Sequence, residues 1–125
     1  MAGTKLDGAG IAKLNTLEDA VTQLQRVHGL VEQMAMAQRQ EKSIASYGLQ
    51  IRRAATPLVG QLKGQFGMIS DIVTGLILVA TRGGNEQAKV RALREAVGQI
   101  RIQLEMAQNK VKEQHTVDME GGNEE

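Results

Sequence analysis

Apolar residues recur at intervals of three and four along three segments of the chain, a spacing that places them on one face of a helix. In the first segment Asn15 or Thr16 can cap a helix, because an acidic residue stands three positions after each. The polar stretch 38–42 then predicts a turn, with Ser43 capping the next helix. A single longer helix is the alternative, because the stretch contains neither Gly nor Pro. The apolar positions of this first segment are Leu14, Leu17, Val21, Leu24, Val27 or His28, Val31 and Met34.

The second segment keeps the same spacing across Pro57, the one proline of the chain. Proline removes a helical N–H and clashes with the preceding turn. It can therefore kink one helix, or begin a new helix capped by Thr56. The residues at 54–56 are poor loop formers, so we predict one kinked helix of about 40 residues, about 60 Å long. Its apolar positions are Ile44, Tyr47, Ile51, Ala55, Leu58, Leu62, Phe66, Ile69, Val73, Leu76 and Ala80.

The third segment has the most regular spacing, which is typical of coiled-coil packing. It follows the stretch 81–86, where two glycines end the preceding helix and Asn85 can cap the next one. Its apolar positions are Val90, Leu93, Val97, Ile100, Leu104, Ala107 and Val111.

These segments predict an all-α fold, an elongated bundle of three long helices with the second kinked near Pro57. We expect a flexible N-terminus at 1–14, one helical-bundle domain at 15–115 and a disordered acidic tail at 116–125. The composition agrees, because only 2% of the residues are aromatic while 42% are hydrophobic. A β-sandwich would need more aromatic and turn residues.

Charge is distributed unevenly along the chain. The net charge is +1, but the last eight residues contain four carboxylates and no base, so the rest of the chain carries about +5. The chain has no cysteine, which excludes disulfides and thiol chemistry. No secretory signal and no membrane-spanning apolar run is visible, so we expect a cytoplasmic or nuclear protein.

The stretch 72–80 predicts a surface that binds another protein or a second copy of this chain. Only Thr74 is polar in it, so apolar side chains point in every direction, and two neighbouring helices would not cover them all. One alternative is that the bundle covers this end by itself. Another is insertion into a membrane, against which the shortness of the run and the presence of Asp71 next to it count. Gly60 and Gly64 lie four apart, and small residues in a stripe allow two helix backbones to approach closely. The expected interface residues are Gly60, Gly64, Ile72, Leu76, Ile77, Leu78 and Val79.

Catalytic and metal sites are not predicted. His28 and His115 fall on different helices without metal-ligand spacing, and nothing in the sequence supplies a second catalytic group for Asp71. We therefore expect no enzyme activity and no cofactor. Gln61-Leu62-Lys63-Gly64 resembles the Leu-Lys-Gly of histidine phosphotransfer domains, which are helical bundles of this size. In that family the phosphorylated histidine stands three residues before the lysine, where this chain has Gly60, so the resemblance implies at most a docking module.

A second function class, contact with a nucleic-acid backbone, follows from the basic residues of the second and third segments. Phosphates require such cations. Against it, the third segment balances its bases with acids, and aromatic platforms for stacking bases are few. The candidate phosphate contacts are Arg52, Arg53, Lys63, Arg82, Arg91 and Arg94. We predict in the first place a non-enzymatic helical interaction protein, a small subunit, adaptor or scaffold in a homo- or hetero-oligomeric assembly.

Overall fold

The computed structural model describes residues 4–118, and most of them are helical. The all-α prediction is confirmed, but the prediction of three long helices is wrong, because the described chain contains four. The elements in chain order are β1 (Thr4–Leu6), α1 (Gly8–Arg39), α2 (Ala45–Lys63), α3 (Gly67–Thr81), α4 (Glu86–His115) and β2 (Thr116–Asp118).

The four helices form an antiparallel ring around one core. α1 packs against α2 and α4, and α3 packs against the same two helices. Side-chain pairs fix the register: Gln23 of α1 donates to Gln61 of α2 at 3.1 Å, and Glu32 of α1 accepts from Arg94 of α4. The apolar positions predicted from the spacing form this core. Its fully buried large side chains include Leu17, Leu24, Met34, Ile51, Leu58, Leu62, Leu76, Leu93, Ile100 and Leu104.

The predicted single kinked helix is wrong, because the second segment is divided into α2 and α3 at residues 64–66. Pro57 lies on the exposed side within α2, and the helix continues past it to Lys63. The chain reverses in the short connection that follows, where the Phe66 N–H donates to the Leu62 carbonyl at 2.7 Å. The spacing of the apolar residues does not reveal this reversal, because α2 and α3 face the same core and the spacing continues through the turn.

α2 and α3 lie very close together at two points. A β carbon attached to Gly48 would collide with the Ala80 carbonyl oxygen, so only glycine fits at this position. Farther along, the Ser70 hydroxyl donates to the Val59 carbonyl at 3.0 Å, and Ser70 is the one polar residue buried among the described side chains. The two helices therefore form a tight hairpin.

The turn expected before α2 and the Asn85 cap expected after α3 both form, but the predicted Ser43 cap is wrong, because Ile44 is the N-cap of α2 and makes no side-chain cap bond. α1 ends at Arg39 and the chain turns before α2 begins, with the Ser43 hydroxyl accepting from the Ala45 N–H at 3.3 Å. After α3, Gly84 adopts a φ of 123°, which L side chains rarely adopt. Asn85 then caps α4 by accepting from the Ala88 N–H at 2.8 Å.

Both ends of the described chain meet at the opposite end of the bundle. α1 begins earlier than predicted, because Asp7 rather than Asn15 or Thr16 is its cap and accepts from the Gly10 N–H at 2.7 Å. Residues 116–118, expected to be disordered, form β2 and pair antiparallel with β1. The other acidic residues of the expected tail, Glu120, Glu124 and Glu125, lie outside the described residues.

Candidate interaction surfaces

The outward side of α3 carries the largest exposed apolar side chains of the hairpin. Met68, Asp71, Gly75 and Leu78 follow one another at intervals of three and four, so they share one face, which we call the α3 outer face. Met68 is 74% exposed and Leu78 is 62% exposed, whereas buried core residues of this helix lie on the opposite side. Met68 and Leu78 thus lie on either side of Gly75, which has no side chain.

Most of the apolar residues predicted to form an interface are covered within the monomer. Leu76 is buried in the core, and Ile72, Ile77 and Val79 are half-buried against it. Only Leu78 of this group is exposed, at 62%. The uncovered apolar surface is smaller than expected because α3, as a separate short helix, has α2 on one side and α4 on the other.

The glycines of the hairpin fall into two groups. Gly48 is required by the contact with Ala80, but Gly60, Gly64 and Gly75 have open space where a β carbon would stand. Gly60 is exposed on α2, and Gly64 is exposed at the residue that follows this helix. A glycine inside a helix costs about 1 kcal/mol relative to alanine. Monomer packing therefore does not account for Gly60 and Gly75, which lie inside their helices.

The six predicted phosphate contacts do not share one surface. Arg52 lines a groove of about 450 Å³ between the beginnings of α2 and α4, and Arg82 lines the adjoining groove at the Gly83–Gly84 turn. Arg53 is exposed on α2, and Lys63 lies at that helix's far end. Arg91 and Arg94 both line a groove between α1 and α4.

Arg94 is already engaged by an acid of its own chain. Its guanidinium donates to both carboxylate oxygens of Glu32, at 2.7 Å and 2.9 Å. These bonds lower the pKa of the Glu32 carboxyl and raise the pKa of Arg94. The Nε2 of His28 lies 3.7 Å from the same carboxylate, so His28 sits at the edge of this pair and not in the core. Arg94 is therefore a poor phosphate ligand.

His115 belongs to a polar cluster that closes the bundle where its two ends meet. Its Nε2 lies 3.0 Å from the Lys13 Nζ, and its Nδ1 lies 3.3 Å from the Asp7 carboxylate. The pKa of Asp7 is lowered, first by the hydrogen bond from the Gly10 N–H and then by His115 and Lys13. Sequence reasoning missed this cluster because no local pattern connects residues at opposite ends of the chain. Within residues 4–118 no group of His, Asp and Glu side chains has a metal-binding arrangement.

Among the described helices, none has both the length and the apolar character needed to cross a membrane. No family model, curated protein or solved structure matches this chain.

Proposed function

We propose that this protein is a non-enzymatic helical interaction protein, a small subunit, adaptor or scaffold of a homo- or hetero-oligomeric assembly, and that it binds through the α3 outer face. The observation that supports this most is the combination of an exposed Leu78 with an open position at Gly75, one turn away. Burying a leucine-sized side chain contributes about 1.5–3 kcal/mol before the costs of association.

A second copy of the same chain fits this face. Two α3 helices can pack antiparallel about a two-fold axis near residues 76–77. A residue that lies a given number of positions after the axis in one copy then faces the residue that lies the same number of positions before it in the other copy. In that register Leu78 of one copy meets Gly75 of the other, so a large side chain enters the open space. The same register places Asp71 of one copy opposite Arg82 of the other.

The charges of this face agree with that pairing. Asp71 and Arg82 are exposed, and neither forms an ion pair within the described part of the chain. A symmetric contact would contain this Asp71–Arg82 pair twice, once on each side of the two-fold axis. Exposed ion pairs contribute little affinity but they do select the register.

The test is the solution mass, measured by light scattering over a range of protein concentrations. The wild-type protein should exceed 13.5 kDa as its concentration rises. Leu78→Asp should stay at the monomer mass, because a carboxylate would be buried in the contact. The matched control is Ile102→Asp on α4, since Ile102 is similarly exposed at 55% but lies on another helix.

The charge pair supplies an independent check of the register. Asp71→Arg should weaken association by placing two cations opposite each other, and the double variant Asp71→Arg with Arg82→Asp should restore it. A wild-type protein that remains monomeric at every concentration would contradict self-association. Equal loss of association in Leu78→Asp and Ile102→Asp would show that α3 is not the contact.

A further inference from the structure

The positive charge of the described chain is concentrated at the end of the bundle that carries the two helix connections. Residues 39–53 and 82–91, which we call the basic end, contain seven basic residues and two acidic ones. The rest of residues 4–118 contains eight basic residues and nine acidic ones, so it is balanced. The seven basic residues are Arg39, Lys42, Arg52, Arg53, Arg82, Lys89 and Arg91.

Among these seven cations, Arg39 is attracted by the Glu32 carboxylate, whereas the other six have no acidic partner in an ion pair within residues 4–118. The charged groups of all seven form no ion pair and no hydrogen bond within residues 4–118. Arg94, by contrast, lies a short distance farther along α4 and forms an ion pair with Glu32 of α1. Like charges gathered at one end of the bundle repel one another, so an anionic partner would be stabilised there.

Five of the seven cations line three grooves around this end. Arg52 and Lys89 line the groove of about 450 Å³, together with the hydroxyls of Ser43 and Thr81. Lys89 is shared with the adjoining groove at the Gly83–Gly84 turn. A third groove lies between α1 and α4, and its lining includes Gln38, Arg39, Gln87 and Arg91.

We propose that the basic end binds the phosphodiester backbone of a nucleic-acid duplex. Phosphate oxygens are contacted in proteins by Arg and Lys together with Ser, Thr, Asn and Gln. Such side chains line these grooves beside apolar residues and two acids, Glu86 and Glu95. This surface is separate from the α3 outer face, except that Arg82 stands where the two meet. Arg52, Arg53, Arg82 and Arg91 carry over from the sequence-based prediction, whereas Lys63 and Arg94 do not.

A duplex is favoured over a single strand because the basic end offers no platform for stacking bases. Tyr47 is half-buried against the core, and Phe66 lies in the connection at the far end of the hairpin. Proteins that bind single strands combine cations with exposed aromatic side chains. Binding through phosphates alone is expected to be insensitive to base sequence and strongly dependent on salt.

The experiment measures fluorescence anisotropy of a labelled 20-base-pair DNA duplex of mixed sequence, titrated with the full chain at several salt concentrations. Each phosphate contact should contribute about 0.9 to the slope of log affinity against log salt. Arg52→Gln with Lys89→Gln should lower that slope by about 2 and weaken binding by roughly tenfold per lost cation near 0.1 M salt. The control variant, Arg26→Gln with Arg101→Gln, removes two exposed cations from the balanced part of the chain and should bind as wild type.

The outcomes separate this proposal from its competitors. Equal weakening in both double variants would show that only net charge matters, and it would overturn the assignment to the basic end. A labelled poly-glutamate peptide or an anionic phospholipid vesicle that binds while the duplex does not would overturn it as well. A matching RNA duplex, run in parallel, shows which of the two nucleic acids supplies the backbone. Leu78→Asp retains all seven cations and should still bind the duplex, so duplex binding can be measured apart from self-association. Arg82, which the two surfaces share, is left unchanged in this variant and in both double variants.

Discussion

Replacing Gly48 by alanine tests the closest approach between α2 and α3. The added β carbon would overlap the Ala80 carbonyl oxygen and stand 3.4 Å from the carbonyl carbon. Both atoms are backbone, so the hairpin itself would have to open. Overpacking of this kind costs about 1–3 kcal/mol, and it is offset in part by the gain of about 1 kcal/mol when alanine replaces glycine in a helix.

Gly60→Ala is the matched control, because Gly60 lies on the same helix and its β-carbon position is open. Both variants gain the same helix propensity, so the difference between them isolates the contact with Ala80. We expect Gly60→Ala to raise the free energy of unfolding by up to about 1 kcal/mol. The free energy of unfolding of Gly48→Ala should be lower than that of Gly60→Ala by about 1–3 kcal/mol.

The assay is urea denaturation at a protein concentration low enough to keep the chain monomeric, because association adds apparent stability. The dependence on urea concentration should be the same in both variants, so that the shift in midpoint reports stability alone. If Gly48→Ala were as stable as Gly60→Ala, the close approach of the two helices would be wrong.

Two further predictions concern single polar groups. Ser70→Ala should lower the free energy of unfolding by about 0.5–1.5 kcal/mol in urea denaturation, because it removes the hydroxyl that donates to Val59; no loss would mean that this bond does not hold the hairpin. Asp7→Asn should be less stable than wild type at neutral pH, because the folded state lowers the pKa of Asp7. That stability is present above the unfolded pKa and is lost as the pH falls through the lower folded pKa, so thermal melts should converge in acid; a constant difference down to pH 2 would contradict it.

The core could be predicted from the sequence because it depends on the apolar spacing alone. Every buried residue of α4, from Val90 to Val111, lies at a position that this spacing selects. The hairpin could not be found in the same way. Gly64 and Gly67 mark the turn between α2 and α3, but both helices contribute to one core and the apolar phase continues through the turn.

The beginning of α1 and the extent of the α3 outer face depended on contacts between distant parts of the chain. The sequence predicts that Gly10 belongs to a flexible terminus. In the structure Gly10 packs closely against His115, and a β carbon at this position would lie 2.5 Å from the β carbon of His115. The exposure of Leu78 and the burial of Leu76 likewise depend on how many helices surround α3. Local spacing contains no information on that number.

The antiparallel pairing of β1 with β2 determines how the molecule would respond to mechanical force. Thr4 stands opposite Asp118, and the Asp7 N–H donates to the His115 carbonyl at 2.9 Å. Tension applied at residues 4 and 118 would act across the ladder and load its hydrogen bonds one after another. The same tension would then peel α1 from α4 turn by turn, so the bundle would unzip at low force instead of shearing.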